Sequence, residues 1–281
     1  MHYERLDIVP TRGRVQVASR LIWLALILAL APRCSLAASL RIYAAGSLTS
    51  AFTEMVKAFH APQGDVASPV FGPSGLLRKR IEHGEPADVF ASADMEQPRI
   101  LAHERGGLSV IMFTRNRLCA LGRASVGLTP DNLLDRLLDP KVRLATSTPG
   151  ADPAGDYAWA VFARAEAIHP GAQATLQAKA MKLVGGPNTP PMVPGHGAVE
   201  GIFLADRADV MLGYCSGSGP VMHAVPGLVS VPLPASLSVG PAYGLIVLSD
   251  NPLAARFALF VLSEQGQTIL SANGFDPIGL P

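Results

Sequence analysis

This sequence predicts an α/β protein of two lobes, and three observations carry the prediction. Short apolar segments alternate with longer amphipathic ones along most of the chain. Four of the joints between them are built from Gly, Ser, Ala and Pro, the residues of tight turns where a ligand can approach the backbone. No linker is long enough to separate independently folding domains.

Residues 40–44 read as the first strand, followed by a helical pattern with Leu48, Phe52, Met55 or Val56 and Phe59 on one face. Residues 67–71 and 87–91 read as further strands, with helices beginning near Leu76 and spanning 95–105. Extended stretches follow at 109–113 and 118–121. A second set comprises a helix at 133–138, a strand at 142–146, helices at 154–167, 172–179 and 197–205, and a strand at 209–214. The Pro- and Gly-rich passage 217–241 carries no assigned element. A strand at 243–247 and helices at 252–262 and 265–272 close the chain. Strands separated by helices imply mainly parallel sheets. The boundaries expected are 1–37 for a signal peptide, 38–115 with 241–281 for a discontinuous first lobe, and 116–240 for the second. Stretches 109–121 and 229–244 are then the two crossings, which should act as a hinge.

The joints are the most informative local feature. Ala44-Ala45-Gly46-Ser47-Leu48-Thr49 and Phe71-Gly72-Pro73-Ser74-Gly75 each place a serine between a strand end and a helix start. Pro149-Gly150-Ala151-Asp152-Pro153-Ala154-Gly155 and Pro194-Gly195-His196-Gly197-Ala198-Val199 are two further small-residue joints, each ahead of a helical run. A serine there caps free amides or presents its hydroxyl beside them to an anion, and both readings stay open for each joint taken alone. Four joints in one chain point to several helix N-termini converging on one negative ligand.

The front of the chain reads as an export signal. Arg12, Arg14 and Arg20 precede an 11-residue apolar run from Leu21 to Ala31, and Ser35, Ala37 and Ala38 offer cleavage positions. That run is short of the roughly 20 residues a membrane span needs. Removing residues 1–37 takes away five arginines, one glutamate and one aspartate, leaving 18 basic and 20 acidic residues and a net charge of −2. A basic nucleic-acid binder is thereby excluded, and any bound anion must be held by local dipoles. Two cysteines remain, Cys119 and Cys215, which form a disulfide or stay as two small buried thiols. The cysteine and histidine spacings are not those of a zinc site.

Together with Gly84-Glu85-Pro86-Ala87-Asp88-Val89-Phe90-Ala91-Ser92-Ala93-Asp94, Pro153-Ala154-Gly155-Asp156-Tyr157-Ala158 and Gly213-Tyr214, the two serine joints resemble the periplasmic molybdate-binding proteins of ABC importers, within the type II periplasmic binding-protein fold. The resemblance runs over essentially the whole mature chain. It implies that a tetrahedral oxyanion, molybdate or tungstate, is held by Ser47 and Ser74 from one lobe, by the Ala154 and Val199 amides from the other, and by the Tyr214 hydroxyl. It implies no cofactor, a monomer in the periplasm, and an inner-membrane permease as partner. Departures lie at Gly75, where the family is richer in hydroxyls, at Gly195-His196-Gly197, and in the Gly- and Cys-rich run 213–219.

Each reading has a competitor. Glu85, Asp88 and Asp94 could form a metal or acid–base site, but Asp88 is expected to start a strand and Asp94 to cap a helix, because carboxylates facing an oxyanion repel it. His196 reads as an exposed loop histidine without a titratable partner, or as an extra donor. Gly72-Pro73-Ser74-Gly75 departs from the Gly-x-Ser-x-Gly elbow of a secreted serine hydrolase, and there is no phosphate-binding Gly-x4-Gly-Lys-Ser/Thr loop. Binding of a sulfate-like or phosphate-like anion, or a sensing role for the same fold, remains the alternative.

Overall fold

In chain order the first elements are β1 (Ile42–Ala45), α1 (Thr49–Ala58), β2 (Val70–Gly72), α2 (Ser74–Glu82), β3 (Val89–Ser92), α3 (Glu96–Glu104) and β4 (Val110–Arg115). There follow β5 (Leu118–Arg123), α4 (Leu133–Leu138), β6 (Leu144–Ser147), α5 (Pro153–Ile168), α6 (Ala172–Lys179), β7 (Met181–Val184), α7 (Ala198–Leu204), β8 (Val210–Tyr214), α8 (Ser218–Ala224) and β9 (Leu228–Pro232). The chain closes with β10 (Ala242–Val247), α9 (Pro252–Leu262), α10 (Glu264–Ala272) and β11 (Asp276–Pro277). This computed structural model describes residues 1–3, 39–59, 68–186, 189–191 and 193–278. All of these elements belong to the compact unit Ser39–Pro281. Apart from its first three residues, the expected signal peptide lies outside the described residues, as does position 67 of the second expected strand.

Two sheets form, in the orders β11-β4-β10-β3-β1-β2 and β7-β6-β8-β5-β9. Each is buried on both faces, which explains why its strands are apolar at nearly every position. In the first, Ile42, Ala44, Val89, Ala91, Tyr243 and Leu245 face a core with Phe52, Phe113 and Phe257. Their neighbours Tyr43, Phe90 and Ile246 face the opposite core with Leu77, Ile81 and Leu101. The second sheet divides in the same way, Leu118, Ala120, Val210 and Leu212 on one side and Leu121 and Met211 on the other. That strict alternation is the period of two of a β-strand.

The expectation of mainly parallel sheets holds for strand direction, since β1 to β4 run one way in the first sheet and β6 to β9 one way in the second, with β10, β11 and β5 reversed. β1 pairs in parallel with β2 and β3, and β6 with β7 and β8, but β4, β10 and β11 in one sheet and β5 and β9 in the other join antiparallel. The reason is the crossings. The chain leaves the first sheet through Asn116 and Arg117 and returns over residues 233–241, so strands on either side of a crossing arrive without an intervening helix to reverse direction. The two sheets also share a device that the sequence reading did not single out. Arg41, ahead of β1, clamps Asp88, ahead of β3: the backbone N–H of Arg41 donates to Oδ2 at 2.8 Å and its guanidinium to both oxygens at 3.0 Å. Arg143, ahead of β6, holds Asp209, ahead of β8, with backbone and guanidinium donors at 2.7–3.0 Å.

Cys119 and Cys215 are disulfide-bonded, with their Cα atoms 5.0 Å apart. The bridge ties β5 to the short 3-10 turn Cys215–Gly217 that follows β8. Within the passage expected to carry no element lie α8 and β9. Gly219 and Pro220 sit in the first turn of α8, where proline costs no hydrogen bond, and β9 is an edge strand whose last residue is Pro232. The strand β7 was also not expected; it is the opposite edge of that sheet and only four residues long.

Candidate functional site

Ser47 lies in the 3-10 turn Gly46–Leu48 at the end of β1 and makes no cap hydrogen bond. Its Oγ instead lies 2.9 Å from the Tyr243 hydroxyl, with either group able to donate. Asn116, at the crossing, donates from Nδ2 to the Tyr243 hydroxyl at 3.1 Å and to Ser216 Oγ at 2.8 Å. Its backbone N–H donates to Pro241 O at 2.9 Å, so the two crossings are bonded to one another. Burial pushes the Tyr243 phenol far above its ordinary range, against the bonds from Ser47 and Asn116, so it acts here as a neutral hydroxyl.

Tyr214, the last residue of β8, stands against Tyr243 with ring centroids 5.6 Å apart and against Tyr157 at 6.4 Å. It packs on the cores of both sheets. Its hydroxyl is buried and makes no hydrogen bond of normal geometry, although it comes near enough to the Tyr243 hydroxyl to favour the ionised form of that phenol slightly. Burial pushes the Tyr214 phenol well up as well. Thr146 and Thr148, at the end of β6 and in the loop behind it, also have buried hydroxyls without a partner. A buried hydroxyl left unpaired costs about 1–3 kcal/mol, so each of the three gains by meeting a polar partner.

Ser74 opens α2 and is buried, yet it too is no cap: the Ala93 N–H donates to its Oγ at 3.1 Å, joining α2 to the loop before α3. Asp94 in that loop accepts from Ser92 Oγ at 2.8 Å and from the Gln97 N–H at 3.0 Å, the capping role expected of it. Asp88 precedes β3 as expected. Ala154 lies in the first turn of α5, and its N–H donates to the Asp152 carboxylate at 3.1 Å. The amide expected to hold an anion is therefore engaged by a carboxylate from its own chain. Part of Asp152 reaches solvent, but its carboxyl is deeply packed, and burial pushes its pKa up to about 6 against the bonds from Ala154 and Ser147. Asp156, which accepts from the Gly150 N–H at 2.9 Å, and Asp94 add like charge from nearby and are raised by burial themselves.

Val199 is held apart from these contacts. It packs beside Leu183, Ile202 and Phe203 on the other face of the second sheet. The Gly197 N–H just before α7 donates to Glu200 Oε2 at 3.0 Å, and His196 Nδ1 lies 3.1 Å from the same oxygen. His196 thus has a titratable partner, contrary to the expectation of a lone loop histidine, because one helical turn brings residue 200 back beneath residue 196.

The structure accordingly brings Ser47 and Tyr214 both against Tyr243, places Ser74 and Ala154 at helix starts engaged by their own chain, and leaves Val199 apart. Asn116, Asp152, Tyr157, Ser216 and Tyr243 were missed. Tyr243 reads from sequence as one more core residue of a strand, and only a buried tyrosine's need for a partner could have flagged it. Asn116 carried a clearer signal, as an amide between two apolar strands at an expected crossing.

Known proteins agree with this two-lobed frame. The chain is 36% identical over 240 residues to an uncharacterized protein, PM1146, of Pasteurella multocida, covering 85% of this chain and 98% of that protein. It is 26% identical over 247 residues to the molybdate-binding protein ModA of Escherichia coli, covering 83% and 87%. Among solved structures, the sulfate-binding protein SubI of Mycobacterium tuberculosis superposes with a TM-score of 0.68 at 19% identity over 85% of this chain and 87% of that one, a likeness of fold. Residues 40–276, from just before β1 to the last strand, match the family described as bacterial extracellular solute-binding protein, and the chain belongs to that family.

Proposed function

We propose that this protein is the periplasmic binding component of an ABC importer, that it captures a tetrahedral oxyanion, molybdate or tungstate, between its lobes, and that it passes the anion to an inner-membrane permease. It acts as an exported monomer and needs no cofactor and no catalytic group. The lobes are residues 38–115 with 241–281, and 116–240. Ser47, Ser74 and Tyr214 supply hydroxyls. The Ala154 amide joins them once the Asp152 carboxylate takes a proton or turns away, and Val199 contributes if the start of α7 turns from Glu200 to the anion.

The observation that carries the reading is the buried, unpartnered Tyr214 hydroxyl beside the Ser47–Tyr243 pair, where the two lobes meet. Neutral donors at such a seam stabilise a dianion without a competing proton on the donor itself. The likeness to a protein named for molybdate supports the ligand class. A sulfate-like ligand is the second reading, favoured by the fold shared with a sulfate-binding protein. Sulfate is the smaller anion, and a cage fitted to molybdate leaves donors unpaired around it at about 1–3 kcal/mol each.

Calorimetry on ligand-stripped protein with molybdate, tungstate, sulfate and phosphate tests the proposal. Molybdate and tungstate are expected to bind alike and sulfate at least tenfold more weakly. Sulfate binding as tight as molybdate would move the protein to the second reading, and no heat from any of the four would end both.

A further inference from the structure

The glycine behind Ser74, a departure from the resembled family, has a physical reason in the contact between the lobes. Gly75 belongs to the first turn of α2 in one lobe, and its N–H donates to Ala151 O in the other at 3.1 Å. A Cβ on Gly75 would stand 2.6 Å from Gly150 O and 2.8 Å from Ala151 O. Both obstacles are backbone atoms, so no side-chain rotation relieves the overlap and the lobes themselves would have to part. Two residues earlier, Pro73 fills the space beside Gly185, which follows β7 in the second lobe. A Cβ there would lie 3.3 Å from Pro73 Cγ and 3.2 Å from Asp152 Cβ, and Gly185 also has φ +73°. The corner Pro73-Ser74-Gly75 is thus a plug of one lobe seated in a socket of bare backbone on the other.

We propose that Gly75 is a positioning residue that sets how far the two lobes close. Its missing side chain admits the α2 corner to the Gly150–Ala151 carbonyls, and its N–H fastens it there. This rests on the reading of the chain as a binding protein that closes on its ligand, and goes past it by assigning affinity to a residue that acts through lobe contact. A ligand whose tight-binding state is only partly populated binds more weakly in proportion to that fraction, so a residue that disfavours closure lowers affinity without removing a donor.

The test is Gly75→Ala, with Pro73→Ala as a second variant that removes only the ring from the socket. Gly219→Ala serves as control, since a Cβ at that helical position meets nothing within 4 Å. Spin labels on cysteines introduced at the exposed positions Lys79 and Lys141, one on each lobe, report the distance distribution between lobes without and with molybdate. Gly75→Ala is expected to need at least tenfold more molybdate to reach the short-distance population, Pro73→Ala a smaller increase, and Gly219→Ala none. The melting temperature of the ligand-free Gly75→Ala protein should equal or exceed that of the wild type, which separates loss of closure from loss of fold. A Gly75→Ala titration superimposable on that of the wild type overturns the proposal. If the wild type itself ignores molybdate, the molybdate reading fails alone and the ligand-free distributions decide: a shift to longer distances in Gly75→Ala supports the latch, and identical distributions overturn it.

Discussion

At the scale of single residues, Tyr214 and Ser47 should answer mutation with opposite signs of stability. The Tyr214 hydroxyl is buried without a hydrogen bond of normal geometry, its contact with the Tyr243 hydroxyl being weak, so Tyr214→Phe removes a group that costs the ligand-free protein energy. The phenylalanine ring keeps the edge contacts to Tyr157 and Tyr243. Ligand-free Tyr214→Phe is expected to melt no lower than the wild type, by up to about 1 kcal/mol in its favour, while its stabilisation by saturating molybdate shrinks. Ser47→Ala takes a partner from the buried Tyr243 hydroxyl, leaving Asn116 as its donor, and should weaken both fold and binding by about 1–3 kcal/mol. Thermal melts with and without molybdate check both. A Tyr214→Phe protein that loses stability yet keeps full ligand stabilisation would show that the hydroxyl has a structural partner after all and no part in binding.

At the scale of elements, the Cys119–Cys215 bridge closes a 96-residue separation and binds β5 to the turn after Tyr214. Cross-linking so long a stretch constrains the unfolded chain, so the double variant Cys119→Ser, Cys215→Ser should lose roughly 3–5 kcal/mol. Denaturant titration measures it, and an unchanged midpoint with unchanged slope would mean that the bridge adds nothing. What the sequence revealed at this scale follows from length and composition. Helices α4, α6 and α9 are readable to the residue because no glycine or proline interrupts them, the one proline, Pro252, standing at the first position of α9 where it marks a helix start. The elements α8, β7, β9 and β11 are not, since each is short and three of them stand at sheet edges where the alternation fades. The serine joints were legible as turns, and their partners were not. Ser47 finds Tyr243 across 196 positions and Ser74 finds Ala93 across 19, distances that no local pattern encodes. Asp152 reads from sequence as part of a joint, and only burial turns it from a turn residue into a perturbed acid.

At the scale of the whole molecule, the carboxylates fall into two sets with opposite pH behaviour. Asp88 resists the upward push of burial because bonds from the Arg41 side chain, from Ser249 and from the Arg41 backbone together hold its pKa below the ordinary value. Asp209 is held low chiefly by its bonds with Arg143. Groups with lowered folded pKa contribute stability above their unfolded pKa and lose it as pH falls through the folded one, so these clamps at the strand starts of each lobe fail in acid. Asp152, Asp94 and Asp156 are raised, chiefly by burial. For Asp152 the ordinary value of 3.8 becomes about 6, so the folded protein holds a proton there that the unfolded chain releases. That contribution is full below about pH 4 and is lost as pH rises through about 6, on the order of 3 kcal/mol at most. Asp152 lies beside Gly185 and Pro73, between the loop after β7 and the start of α2. Melting temperatures taken from pH 4 to pH 7 should therefore decline for the wild type relative to Asp152→Asn, which keeps an acceptor for the Ala154 N–H and has no proton to lose. Equal pH slopes in the two proteins would remove Asp152 as the source and leave Asp94 and Asp156 to account for any decline.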